Sequence, residues 1–340
     1  MRSFASDNNS GIEPTILQAI IDANADHATP YGHDPYTEKA ILLLKKSFGE
    51  SAIAYLVNNG TAANTLSVKA VTRSHQAIIC PDTSHMVVHE VGAVANFTGC
   101  SLYTIPNVSG KITAAAIEER YIASINDRHN NKVHVVSIAQ TTEFGTVYTV
   151  EELQAISAVC KKHNLVFHVD GCRLSNAAVA LNKSLKEITA DVGVDVLTFG
   201  GTKNGLLFGE AIIFFRKELA AEFEYIQKQG LQLNSKMRFL SAQFIPYLEK
   251  NIWQRNAAHA NLMCQKLAQG LAKRADIKLA YPADSNLFFA YFPKSVIAAT
   301  QAKFPYYLFN EKTGFIRIVT SFDTTDKDVD EFLALALEAN

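Results

Sequence analysis

The sequence lacks most of the features that would commit it early to a specialised class. Among its 340 residues, 32 are Lys or Arg and 33 are Asp or Glu, giving a net charge of −1 at pH 7. With no excess of either sign, nothing in it attracts nucleic acid or an anionic membrane surface. Five cysteines occur, Cys80, Cys100, Cys160, Cys172 and Cys264. No two form a C-x-x-C pair, so neither a zinc site nor a disulfide framework is suggested, and no metal is expected. No apolar run is long enough to cross a bilayer, and residues 1–7 lack the basic-then-apolar pattern of a signal peptide. These absences predict a cytoplasmic protein. No G-x-G-x-x-G run follows an expected strand, which disfavours a nicotinamide dehydrogenase, and the Walker spacing is missing. There is no internal repeat and no low-complexity linker.

What is present is an ordinary globular composition, 48% hydrophobic and 19% charged. A chain of this length is long for one core and comfortable for two. Its low net charge fits a protein that covers part of its surface in an oligomer.

From residue 50 onward, short β-branched runs alternate with helical patterns. Strands are expected at 52–57, 77–80, 101–105, 133–138, 165–169, 194–199 and 211–215. Helices are expected at 62–71, 113–122 and 150–163, and an N-terminal one at 11–24 with Pro14 near its first turn. This rhythm argues for a doubly wound, mostly parallel sheet covered by helices. After residue 244 the texture changes. A long helix at 252–271, strands at 279–281, 287–292 and 315–320, and a closing helix from Lys327 suggest a smaller α+β unit. The expected division is a large domain with its N-terminal segment at 1–245 and a small C-terminal domain at 246–340.

Several residues carry chemistry. Asp170, in His168-Val169-Asp170-Gly171, ends a buried strand, the edge at which open α/β sheets bind ligands. A carboxylate there needs a cation or several hydrogen bonds, and a protonated ring nitrogen of a cofactor would serve; a helix N-cap is the ordinary alternative. Lys203 lies one βα unit later, in Gly200-Gly201-Thr202-Lys203-Asn204-Gly205. Small residues there let the backbone approach a ligand, and a lysine removed from water can form an imine with an aldehyde. Most loop lysines are merely solvated. Asn58-Asn59-Gly60-Thr61-Ala62-Ala63-Asn64 joins a strand to a helix start, which suits a phosphate or is simply a cap. His85, after the strand through Cys80, could stack on a planar ring and titrate near neutrality, with His89 as a competitor. Arg173 and Arg317 each need an anion, either a substrate carboxylate or a structural salt bridge.

As a set, these motifs resemble the fold-type-I pyridoxal-phosphate enzymes, specifically the low-specificity L-threonine aldolases. The resemblance runs from Phe4-Ala5-Ser6-Asp7-Asn8 and Tyr31-Gly32-His33-Asp34-Pro35 through the Asn59–Asn64 run and His85. It continues over His168–Arg173 and Gly200–Gly205 to Phe315-Ile316-Arg317. It implies that Lys203 holds pyridoxal 5′-phosphate as a Schiff base and that Asp170 pairs with the pyridine nitrogen. Gly60 and Thr61 would bind the phosphate, with Arg238 reaching in from a neighbouring subunit, and His85 would stack on the ring. Ser6, Arg173 and Arg317 would hold the amino-acid carboxylate, and Tyr31 would line the pocket. His33 stands where other members commonly carry another residue.

The implied activity is retro-aldol cleavage of L-threonine or L-allo-threonine to glycine and an aldehyde, with His85 or a water held by it as base. A related lyase acting by β-elimination or on phenylserine-like substrates is the alternative, and a non-catalytic cofactor-binding protein a third. The resemblance also implies a homo-oligomer, dimer or tetramer, with sites at the subunit interface. The partner is otherwise a small amino-acid substrate, not nucleic acid or membrane.

Overall fold

A computed structural model of the chain describes residues 2–125 and 127–339. Met1, Asn126 and Asn340, which the expected domain spans include, lie outside the described residues. Seven strands form one sheet: β1 (Ile53–Val57), β2 (Gln76–Pro81), β3 (Ser101–Ile105), β4 (Lys132–Ala139), β5 (Val166–Gly171), β6 (Val196–Gly200) and β7 (Glu210–Phe214), in the order β1-β7-β6-β5-β4-β2-β3. The strands β5, β6 and β7 are buried at every position, which is why they read as unbroken apolar runs rather than as an alternation.

The sheet is mixed because of one strand. β2 pairs in parallel with β3 and β4, β4 with β5, and β5 with β6, whereas β7 is antiparallel to both β1 and β6. Only residues 201–209 separate β6 from β7, too short a stretch for the helical crossover that a parallel neighbour needs. This reversal places Glu210, the first residue of β7, opposite Val57 and Gly200, at the edge where β1 and β6 end.

A second sheet is antiparallel throughout: β8 (Lys278–Leu279), β9 (Leu287–Tyr291), β10 (Tyr307–Asn310) and β11 (Phe315–Val319), ordered β10-β11-β9-β8. The helices Ile252–Leu271 and Asp326–Glu338 contribute Cys264, Leu267, Val329 and Phe332 to a core beneath it, with Phe288, Phe292 and Phe304. Phe4 belongs to this core as well. Its N–H donates to Pro305 at 2.8 Å and its carbonyl accepts from Val319 N–H at 2.8 Å, so the N-terminal segment is strapped onto the small sheet.

Local signals explain most boundaries. The first helix is Pro14–Asp22, shorter than expected, because Glu13 caps it by accepting from the Thr15 and Ile16 N–H groups. Two helices of twelve or more residues were not anticipated, besides several shorter ones. Pro35–Phe48 starts on Asp34, whose side chain accepts from Thr37 N–H, with Pro at its first position, and Arg238–Glu249 carries Pro246 in its interior. Among the described residues, no helix is long and apolar enough to cross a membrane.

The connection after β4 approaches the small sheet closely at Gly145, whose φ is +82°. A Cβ there would stand 2.5 Å from the Leu287 carbonyl oxygen. Gly145→Ala therefore meets both a left-handed backbone and a clash with β9. It should lower stability by about 2 kcal/mol, read as a drop in the urea midpoint at unchanged slope.

Candidate active site

The C-terminal ends of β1, β2, β4, β5 and β6 share one edge of the large sheet, and the loops leaving them enclose a cavity of about 380 Å³. Its lining includes Gly60, Thr61, His85, Asp170, Arg173 and Lys203, six residues singled out from the sequence.

Asp170 is the penultimate residue of β5, beside Ala139 of β4 and Thr198 of β6. Its carboxylate accepts from Asn64 Nδ2 at 2.8 Å and from Cys172 N–H at 3.0 Å. Burial pushes its pKa up, but the Cys172 hydrogen bonds, the Lys203 charge and the Asn64 amide outweigh it and hold the group below the ordinary aspartate value. Asp170 is thus an anion in a buried place. Behind it, His168 is bonded to Ser137 Oγ at 2.8 Å and Ser67 Oγ at 3.0 Å, and burial, only partly opposed by Asp170, pushes it down to about 4. That histidine is a neutral packing group.

Lys203 sits in a single 3₁₀ turn, Thr202–Asn204. The two glycines before it serve packing rather than ligand approach. A Cβ on Gly200 would lie 2.3 Å from the Cys172 carbonyl oxygen, and one on Gly201 would lie 2.5 Å from Leu206 Cδ2. Only glycine lets the chain leaving β6 pass the loop leaving β5 so closely. Glu210 fastens the turn, its Oε2 accepting Gly201 N–H at 2.8 Å.

At one end of the cavity, the helix Gly60–Val71 points its N-terminus inward. Asn59 caps it by accepting Ala62 N–H at 2.9 Å; the first-turn N–H groups of Gly60 and Thr61 have no acceptor within the helix. A side chain at position 60 would meet Cys172 Sγ at 3.0 Å.

His85 opens the short helix His85–Val88. Its Nδ1 lies 2.8 Å from Glu90 Oε1, and Asn64 Nδ2 donates to that same oxygen at 3.0 Å. A continuous polar chain therefore runs from His85 through Glu90 and Asn64 to Asp170. The His89 ring is 5.5 Å from that of His85, and burial, then the charges of His85 and Arg317, lower its pKa. Glu90, Asn64 and Glu143, all lining the cavity, were missed as site residues. Asn64 stood inside a recognised motif; the two acids carry no local signal.

At the other end, Arg173 makes a bidentate pair with buried Asp7, Nε to Oδ2 at 2.7 Å and Nη2 to Oδ1 at 2.9 Å. The structural salt bridge that the sequence left open is present. Asn286 Nδ2 adds a third donor to Asp7 at 3.0 Å. Burial raises the Asp7 pKa, but Arg173, Lys203 and Asn286 together leave it lowered. Arg317 differs. Its Nη2 donates to the Ala5 carbonyl at 3.0 Å, its buried Nε has no partner, and it lies 4.8 Å over the Tyr307 ring. Burial first, then the Arg173 charge, depress its pKa against the opposing pull of Asp7, so an anion reaching Arg317 would stabilise its charge. Ser6 caps the turn Asp7–Asn9 by accepting Asn8 N–H at 3.2 Å.

Of the expected site residues, Ser6, Arg317, Tyr31 and Arg238 are not in the lining of this cavity. Tyr31 is exposed, with φ +58°, its N–H on the Ser235 carbonyl and Lys228 Nζ 4.7 Å over its ring. Arg238 Nη1 donates to the Ala25 and Asp26 carbonyls at 3.3 and 3.0 Å. Tyr31 is thus held to Ser235, three residues before Arg238, and Arg238 to the segment before Tyr31.

The profile of the Beta-eliminating lyase family matches residues 3–294. The low specificity L-threonine aldolase of a Pseudomonas sp. is 41% identical over 335 residues, 98% of this chain and 96% of that protein. The corresponding protein of Pseudomonas aeruginosa is 40% identical, over 97% and 95% of the two chains. Among solved structures, Leishmania major threonine aldolase matches with a TM-score of 0.94 at 31% identity, covering 99% of both chains. Mouse CSAD shares only the fold, with a TM-score of 0.77 at 15% identity over 100% of this chain and 84% of that one. The large mixed sheet with a small antiparallel C-terminal one is the fold of the fold-type-I pyridoxal-phosphate enzymes, the class expected from the sequence. Within that class, the chain belongs to the beta-eliminating lyase family, in its low-specificity L-threonine aldolase branch.

Removing Asp7 strands the buried Arg173 charge. Asp7→Ala should cost about 3 kcal/mol, measured by urea unfolding at pH 7. Because the Asp7 carboxyl is lowered in the folded protein, its contribution is full above the ordinary aspartate range and is lost as pH falls through the lowered value. The difference between wild type and variant should accordingly narrow in acid.

Proposed function

We propose that this chain is a lyase that holds pyridoxal 5′-phosphate in the strand-edge cavity and cleaves L-threonine, L-allo-threonine and related β-hydroxy-α-amino acids to glycine and an aldehyde. The observation that carries this reading is the meeting, in one cavity, of Lys203, a buried anionic Asp170, a helix N-terminus at one end and Arg173 at the other.

The donor set suits the cofactor group by group. The free N–H groups of Gly60 and Thr61 and the Thr61 hydroxyl suit its phosphate. Asp170, kept ionised by Cys172, Lys203 and Asn64, suits a protonated ring nitrogen, and the flat His85 imidazole suits the face of the ring. Lys203 supplies the amine that holds the aldehyde carbon covalently. When bound, the cofactor provides an electron sink for the pair released at the substrate Cα.

The protein's own part is placement. Arg317, with a buried Nε to spare, takes the substrate carboxylate, with Arg173 and Ser6 alongside. Asp7 holds Arg173 in its fork, so the guanidinium loses no rotamer freedom when substrate arrives. Fixing the carboxylate fixes which Cα bond is broken. Glu90 holds His85 by Nδ1 and so sets the plane of the ring that covers the cofactor. We further propose a homo-oligomer, dimer or tetramer, in which the outward-lying Tyr31 and Arg238 complete the cavity of a neighbouring copy.

Product analysis tests the reading. Protein supplied with pyridoxal phosphate should convert L-threonine to glycine and acetaldehyde, and formation of pyruvate and ammonia would refute it. Lys203→Ala should lose both the cofactor's absorption near the visible edge and all cleavage. Arg317→Ala should raise the KM for threonine about 10- to 100-fold, as expected for a lost charge-assisted hydrogen bond.

A further inference from the structure

We propose that Glu143 is the catalytic base of the lyase reaction, taking the proton from the substrate's β-hydroxyl, and that Glu90 and His85 position the site around it. The proposal rests on the lyase reading above.

Glu143 lies in the loop after β4 and lines the cavity. Its Oε1 accepts the His85 backbone N–H at 2.9 Å. Its Oε2 is buried and has no hydrogen-bond partner. A buried carboxylate oxygen left idle is costly in an ordinary packing position; because Glu143 lines the cavity, a turn of its carboxylate brings that oxygen onto a hydroxyl-bearing substrate and recovers the cost.

The other acids of the cavity are already engaged. Asp170 holds Asn64 and the Cys172 N–H, and its pKa is lowered, so it is a poor proton acceptor. Glu210 holds the Gly201 N–H and the Thr202 hydroxyl. Glu90 also keeps one oxygen unpartnered, but its other oxygen carries both His85 Nδ1 and Asn64 Nδ2, which ties it to orienting the ring. Of the two acids held at about 7, Glu143 and Glu210, only Glu143 keeps a buried oxygen without a partner. Burial, reinforced by the charge of Asp170, raises its pKa to about 7, while its own backbone N–H and the backbone N–H and charge of His85 pull the other way. Cys80, on β2, feels the same carboxylate. Burial first, then the charge of Glu143, raises that thiol to about 12.

In the step itself, the β-O–H bond breaks and its proton passes to Glu143. The O–H pair becomes the second C–O bond of the aldehyde as Cα–Cβ breaks. The pair from the broken bond stays with the glycine fragment, which takes one proton at Cα, so glycine and aldehyde together hold every atom of the substrate.

Glu143→Gln keeps an acceptor for the His85 N–H and removes the base. For L-threonine its kcat should fall about 100-fold or more with KM little changed. The wild-type rise of kcat/KM through pH 7 should vanish. In cofactor-free wild type, infrared titration should show the carboxyls of Glu143 and Glu210 changing near pH 7, and the variant should keep only the Glu210 part of that change. Deuterium exchange at the glycine Cα, followed by NMR, needs no β-hydroxyl proton removed and should persist. A variant with kcat within about threefold of wild type, an unchanged pH profile, or the same carboxyl titration near pH 7 in variant and wild type would overturn the proposal. Loss of glycine exchange together with cleavage would assign Glu143 to holding the site and overturn it too. Wild type that makes no glycine from threonine defeats the lyase reading instead, whatever Glu143 does.

Discussion

The pairing of Asp7 with Arg173 is the interaction on which the rest of the site depends. Asp7 comes from the N-terminal strap, Arg173 from the loop leaving β5 of the large sheet, and Asn286, its third donor, from the residue before β9 of the small sheet. Three separate parts of the chain meet at one buried carboxylate. An ion pair so deep gains less from attraction than its geometry suggests, because both charges have left water. Its value lies in registration: it places the two sheets so that Arg317, on β11, feels the charge of Arg173, on the loop after β5.

Around that junction the cavity gathers charge of both signs at unusual density. Asp170, Glu90, Glu143 and Glu210 share the lining with Lys203, His85 and Arg173. Their environments push them apart. Asp170 is held ionised, whereas Glu143 and Glu210 are both raised to about 7, chiefly by burial. Separating like groups in this way is how one small cavity offers a permanent anion and a proton acceptor together. The antiparallel β7 is part of the device, since its reversal is what delivers Glu210 to the edge where the parallel strands end.

The sequence was most legible where structure is local. The buried strands β5 and β6 announced themselves as apolar runs, and the residues at their ends, Asp170 and Lys203, do share a cavity. The glycines beside Lys203 were visible, but their purpose was not, because the atoms they accommodate belong to Cys172 and Leu206. The helix Pro35–Phe48 had a legible start in Asp34-Pro35, which was read only as part of a motif. Glu90 and Glu143 escaped for a deeper reason. Each is an acid in a connecting segment, and nothing nearby in sequence states that it will be buried. Burial is a property of the assembled sheets. Tyr31 and Arg238 illustrate the converse, since the backbone alone could not reveal that both would lie outside their own cavity.

The strap at the N-terminus also sets an order of assembly. Phe4 closes a core whose other walls include β9, β11 and the helices Ile252–Leu271 and Asp326–Glu338, and Asp7 waits for a donor 279 positions further along the chain. During synthesis the large sheet can gather strand by strand as it emerges, while the segment made first stays without its docking place. The cavity is finished only when the last-made part folds back over the first. A nascent chain therefore has Lys203 and the helix Gly60–Val71 in place well before Arg317 can come beside Arg173, and the closing of that long loop is the topologically distant event of its assembly.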